Sequence, residues 1–250
     1  VEDINDSEQD ESDDQVDQPT GSYIFMATAN GTVKKTPLVQ FSRPRSSGLI
    51  ALRLEEGDTL IAAAITDGAQ QVMLFSDAGK VIRFKERHVR EMGRTARGVR
   101  GMRLQGEQRI ISMLIPESDA QVLTASENGY GKRTHLSEYP LRGRGGQGVI
   151  AMVTNDRNGP LIGAIQVQEG EEIMLISDQG TLVRTRVDEV SSQGRNTQVV
   201  TLIRLTNGEA LAGLERVQEP SVDADDEFED DEHTAAPTDA GEAPDNVVTE

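Results

Sequence analysis

The chain has 250 residues with 43 Asp and Glu, 25 Lys and Arg, three His and no Cys, for a formal net charge of −18. The lack of Cys rules out disulfide frameworks and thiolate metal sites, and no 18-residue apolar run is present to form a membrane-spanning helix. The acidic, polar start is unlike a signal peptide, so a cytoplasmic location is expected.

Taken in chain order, residues 1–21 hold nine acids and no Lys or Arg. They are too polar to offset the entropy of ordering and are predicted to be disordered. An internal repeat follows. Its first landmark is a turn glycine between two apolar runs, at Gly31, Gly79, Gly129 and Gly180, spaced 48, 50 and 51 residues apart. Phe25–Thr36, Met73–Phe84, Leu123–Thr134 and Met174–Thr185 therefore read as four hairpins, with Gly supplying the positive φ of the turn.

A second landmark stands about nineteen residues after each turn, at Gly48, Gly98 and Gly148, with Val199 out of pattern. An apolar strand is predicted after each: Leu49–Leu52, Val99–Met102, Val149–Met152 and Val200–Ile203. A further strand closes each repeat, at Leu60–Ile65, Ile110–Ile115, Leu161–Val167 and Leu211–Val217. The repeats span about residues 22–70, 71–118, 119–167 and 168–218. No segment sustains a 3.6-residue period. Four strands per ~50-residue unit is the spacing of a propeller blade, so the fold class is all-β, a β-propeller-like domain of about four four-stranded blades. Residues 219–250 hold thirteen acids and no Lys or Arg, and this tail too is predicted to be disordered.

Between the acidic ends, residues 22–218 carry all 25 basic residues against 21 acids, a balance of +4. Cations cluster on the strand leaving each turn: Lys34 and Lys35; Lys80, Arg83 and Lys85; Lys132 and Arg133; Arg184 and Arg186. A second set occupies the loops before the second landmarks: Arg43 and Arg45; Arg87, Arg90, Arg94 and Arg97; Arg142 and Arg144; Arg195. Arg100 and Arg103 continue it. Repetition predicts a basic band around the rim, suited to the phosphates of a bent duplex rather than to base reading. The competing expectation is a propeller that docks an acidic protein on the same rim. A further expectation is that the acidic tail screens the band.

No catalytic constellation stands out. Tyr23, Tyr130 and Tyr139 read as packing residues, and the Gly143–Gly148 loop lacks the Gly-Lys-Ser/Thr ending of a P-loop. His88, His135 and His233 are too far apart in sequence to suggest a metal site.

Ala29–Thr36, Gly93–Gly101, Asn128–Thr134 and Gly180–Arg186 together resemble the C-terminal domain of the bacterial DNA gyrase A subunit, over about residues 22–218. The resemblance implies a β-pinwheel, in which neighbouring blades exchange strands and double-stranded DNA wraps around a basic rim. It implies partners in the B subunit and in the rest of the A subunit, within an A2B2 enzyme that uses ATP and Mg to supercoil DNA. No catalytic residue and no cofactor are expected in this chain. The family's domain usually has six blades. Its Gln-Arg-Arg-Gly-Gly-Lys-Gly box is represented here only by Arg142-Gly143-Arg144-Gly145-Gly146-Gln147-Gly148, in the third repeat. Residues 1–21 would then be an insertion between blades. The matching domain of topoisomerase IV is the nearest alternative.

Overall fold

One hairpin, set by a hydroxyl residue and a glycine three positions later, is built four times. Gly31, Gly79, Gly129 and Gly180 donate their N–H groups to the carbonyls of Thr28, Ser76, Ser126 and Ser177 at 2.9–3.1 Å, and all four have φ between +71° and +88°. This is a tight turn closed by a left-handed glycine. The computed structural model describes residues 21–197 and 199–217; the acidic segments beyond them lie outside the described residues.

The first repeat holds β1 (Tyr23–Thr28), β2 (Thr32–Pro37) and β3 (Leu60–Thr66). The second holds β4 (Gln71–Ser76), β5 (Lys80–Lys85), β6 (Val99–Arg100) and β7 (Ile110–Leu114). The third holds β8 (Gln121–Ser126), β9 (Tyr130–His135), β10 (Val149–Ile150) and β11 (Leu161–Val167). The fourth holds β12 (Glu172–Ser177), β13 (Leu182–Arg186), β14 (Val200–Thr201) and β15 (Leu211–Val217). The helices among the described residues are four 3-10 turns of three or four residues each.

The sheets do not coincide with the repeats. Their orders are β3-β1-β2-β6, β7-β4-β5-β10, β11-β8-β9-β14 and β15-β12-β13. Each short strand β6, β10 and β14 thus completes the sheet of the preceding repeat, with Val99 opposite Val33, Val149 opposite Val81 and Val200 opposite Gly131. This exchange corrects one sequence expectation. Leu49–Leu52 forms no strand: each such segment joins the sheet of the preceding repeat, and among the described residues no sheet precedes β3-β1-β2-β6; the fourth sheet has three strands.

Neighbouring sheets stack face to face over three apolar clusters. Phe25, Val33, Leu74, Ile82 and Phe84 fill the first gap, Met73, Phe75, Val81, Val122 and Tyr139 the second, and Leu123, Ala125, Ile173 and Leu175 the third. The central strands of the first three sheets are covered on both faces, whereas β12 and β13 of the fourth leave Ile176 and Leu182 exposed; as in a solenoid, a repeat touches only its neighbours. The closing strands β3, β7, β11 and β15 pack against one another in succession. They form the inner edge of a fan, and β6, β10 and β14 lie at the opposite, outer edge of their sheets.

Candidate nucleic-acid interface

The position of each cation follows from this stacking. A residue in the middle of β2 or β9 has a sheet face on either side, so a lysine there goes inward. Lys34 and Lys132 are fully buried. The Lys34 ammonium donates to the carbonyls of Ala51 and Arg94, at 2.7 and 2.5 Å. That of Lys132 donates to the carbonyls of Gly194 at 2.9 Å and Thr197 at 3.4 Å, and to that of Arg195. Burial pushes Lys132 down to about 8, helped by the nearby Arg195 charge. Lys34 is lowered by burial and by Arg94. Carbonyl oxygens, not phosphates, satisfy both groups.

The next position along the strand serves the same purpose. Arg83 donates to the carbonyls of Leu136 and Tyr139 at 2.8 and 2.9 Å, and to the Gln71 side chain at 2.7 Å. Arg133, also buried, donates to the Val190 carbonyl at 2.6 Å and lies 3.9 Å from Asp188. Lys35 is buried with its ammonium 4.8 Å from the Tyr23 ring centroid. These cations fasten one repeat to the 3-10 turn of the next. Arg184, the fourth member, pairs with Glu172.

The loop arginines form a second recurring set of fasteners. Arg94 donates to the Ile50 carbonyl at 3.2 Å, Arg144 to that of Arg100 at 3.0 Å, and Arg195 to that of Ile150 at 2.8 Å. Arg144 and Arg195 also reach His88 and Glu138 carbonyls, at 2.8 and 2.5 Å. The rim set predicted from sequence therefore divides. Lys34, Lys35, Lys132 and Arg133 are buried and Arg83, Arg94 and Arg195 half-buried, whereas Arg43, Arg45, Arg97, Arg100, Arg142 and Arg186 face solvent, Arg144 and Arg184 are exposed while bonded as above, and Lys80 and Lys85 are half-exposed. Arg97 lies 4.0 Å from Glu55, an exposed pairing that holds it only weakly.

Arg103, which continues the loop set, has two counterparts that the sequence reading did not name. Arg53, Arg103 and Arg204 stand five residues after Gly48, Gly98 and Val199, with Val153 in the third copy. All three arginines are exposed, as are Arg87 and Arg90. Their common distance from the second landmark is the signal that could have found Arg53 and Arg204. Backbone approach is open here too: Gly143 has nothing within 4 Å of its Cβ direction.

Among the described residues no cluster of three or more His, Cys, Asp or Glu side chains is placed to hold a metal, and no helix is long and apolar enough to cross a membrane. The tyrosines are packing groups. Tyr139 is buried edge-on to Phe75, with centroids 6.2 Å apart, and the Tyr23 hydroxyl donates to Glu91 at 2.6 Å. Tyr130 lies beneath the Arg157 guanidinium at 4.8 Å.

The family of DNA gyrase C-terminal domains, a beta-propeller family, matches the chain four times in succession, at residues 22–67, 70–117, 120–168 and 171–218. The DNA gyrase A protein of Pseudomonas aeruginosa is 77% identical over 220 residues, covering 88% of this chain and 24% of that protein. Its counterpart in Escherichia coli K12 is 52% identical over 206 residues, 82% of this chain and 23% of that one. The chain thus spans about a quarter of the length of these relatives. A solved DNA gyrase A C-terminal domain superposes with a TM-score of 0.71 at 28% identity, over 80% of this chain and 67% of that one. The C-terminal domain of a topoisomerase IV gives 0.75 at 25% identity, over 81% and 64%. Backbone shape does not separate gyrase from topoisomerase IV, but sequence identity does. On these matches the chain belongs to the DNA gyrase C-terminal domain family.

Proposed function

We propose that this domain binds the backbone of double-stranded DNA along its outer edge and bends the duplex around the fan of sheets. The reading rests on one observation: solvent-facing cations recur at one place in successive repeats, Arg53, Arg103 and Arg204 among them, the latter two just beyond the outer-edge strands β6 and β14. Arg43, Arg45, Lys80, Lys85, Arg97, Arg100, Arg142 and Arg186 add to it. Lys34, Lys35, Arg83, Lys132 and Arg133 support the interface from within, by fastening the repeats that carry it, and Arg94, Arg144 and Arg195 fix its loops. Phosphate contacts supply affinity without reading sequence, and each additional contact offsets part of the bending energy.

In this reading the domain is the non-catalytic wrapping part of a gyrase A subunit, acting in the cytoplasm with the B subunit and with the remainder of its own polypeptide. ATP and Mg serve the whole enzyme in negative supercoiling, and the domain itself takes no cofactor.

The test titrates residues 22–217 with duplexes of ~20 and ~150 bp at several salt concentrations, where log affinity falls by about 0.9 per decade for each phosphate neutralised. A slope of several phosphates and much tighter binding to the long duplex are expected. A shallow slope without length preference would replace wrapping by docking of an acidic protein partner.

A further inference from the structure

The strand pairing that closes the outer edge of each completed sheet has one rung turned toward solvent. There the residue after the turn glycine lies opposite the second residue of the incoming strand: Thr32 opposite Arg100, Lys80 opposite Ile150 and Tyr130 opposite Thr201. Directly opposed residues share a sheet face, so each pair presents one small patch of the outer edge. In the first sheet the incoming strand supplies a cation to this patch, the exposed Arg100, and in the second the host strand supplies the half-exposed Lys80. In the third sheet neither member of the rung is charged.

The third repeat departs from the others in its next loop as well. Val153 stands where the other copies have Arg53, Arg103 and Arg204, and the loop between the second landmark and the closing strand is one residue longer than its counterparts. That loop carries Arg157, at a distance from the landmark where the other copies have Gly57, Glu107 and Gly208. Its backbone is tied down on both sides of the arginine. Asn128 of the hairpin turn donates its side-chain N–H groups to the carbonyls of Asp156 and Arg157, at 3.2 and 2.9 Å. Asn158 donates its side chain to the Val153 carbonyl at 2.8 Å and its backbone N–H to the Asn155 side chain at 3.0 Å. The Arg157 guanidinium then lies 4.8 Å from the centroid of the Tyr130 ring, on the uncharged rung. It is exposed, and among the described residues it enters no ion pair or hydrogen bond. A ring attracts a cation over its face, and a guanidinium stacked in this way keeps its fork of N–H donors free for phosphate oxygens.

We infer that Arg157 is the phosphate contact of the third repeat and that Tyr130 positions it, a step that rests on the duplex-binding reading above. The repeat lacks a strand cation at its outer rung and the loop arginine at Val153, and a longer loop laid over an aromatic ring returns a positive charge to the same patch. Arg100, Lys80 and Arg157 thus place one cation on each completed sheet, from an incoming strand, a host strand and a loop in turn.

The test titrates the full 250-residue chain and its variants with a duplex of ~150 bp across a salt series, with Arg103→Ala as the reference for an exposed phosphate contact. Arg157→Ala is expected to weaken binding several-fold and to lower the salt slope by about 1, with the unfolding temperature unchanged, while Arg157→Lys keeps the slope of the parent. Tyr130→Phe retains the ring and is expected to bind as the parent does. Tyr130→Thr, which copies Thr32 and Thr181, releases Arg157 and weakens binding by a smaller factor. Arg157→Ala combined with Tyr130→Lys, which copies Lys80, is expected to regain the lost slope, a rescue that a merely structural role for Arg157 would not produce. Circular dichroism checks that each variant is folded. A parent-like slope for Arg157→Ala beside a lowered one for Arg103→Ala would overturn the inference and leave duplex binding standing. Failure of the folded lysine double variant to regain the slope would overturn it too. A shallow slope shared by the parent and every variant would remove the duplex-binding reading itself, and this inference with it.

Discussion

A lysine with no solvent-accessible surface is costly, and Lys132 holds its place through the carbonyls of Gly194, Arg195 and Thr197. Replacing it with Met would leave those oxygens unpaired, at an expected cost of about 2–4 kcal/mol in thermal or urea unfolding. The pH dependence has a definite sign. Lys132 titrates near 8 in the folded chain against a usual value of 10.5. Within that window the unfolded chain holds the proton that the folded chain has lost, so the contribution to stability rises with pH. The advantage of the parent over Lys132→Met should therefore grow from pH ~8 to ~10 and stay flat below; an advantage that shrinks across this range would mean that Lys132 is not depressed. From sequence alone this residue falls on the rim, because cations recurring in phase share an environment. Recurrence does not say whether that environment is wet. The missing fact is that β2 and β9 are sheathed on both faces, which leaves a central strand no solvent side.

The hairpins are legible in the sequence because Ser or Thr followed three residues later by Gly prescribes the turn locally. Strand exchange is not, since a two-residue strand such as β10 carries no period of its own and pairs with residues 68 or more positions earlier. Its strongest trace in the chain is the packing around the turn glycines, and a matched pair of substitutions isolates it. Gly79 and Gly180 have the same turn and similar φ, +71° and +88°. An alanine at Gly180 faces open space and should cost only the left-handed strain, about 1–2 kcal/mol. At Gly79 the new methyl would stand 2.1 Å from the Met152 oxygen, so β10 must be displaced as well. Unfolding of the two variants should differ by at least about 1–3 kcal/mol, measured by thermal or urea denaturation. Equal losses would mean that β10 does not complete the second sheet in solution.

At the scale of the molecule, one cation set fastens repeats and another faces outward, and DNA binding should distinguish them. Arg103→Ala removes an exposed charge without a fastening role; it should leave unfolding unchanged, weaken DNA binding several-fold and lower the salt slope by about 1. Arg144→Ala loses bonds to the His88 and Arg100 carbonyls, so its first effect should be a lower unfolding temperature. The acidic tail is the other whole-molecule term. Its thirteen acids compare with a balance of only +4 over residues 22–218, so a covalently tethered polyanion competes with phosphate for the same cations. Ending the chain at Val217 is therefore expected to tighten DNA binding. The gain should be largest at low salt and shrink as the Debye length falls from about 10 Å at 0.1 M to 3 Å at 1 M. Equal affinity for both forms at low and moderate salt would show that the tail does not screen this surface. A gain that persists undiminished at high salt would point to direct obstruction rather than charge.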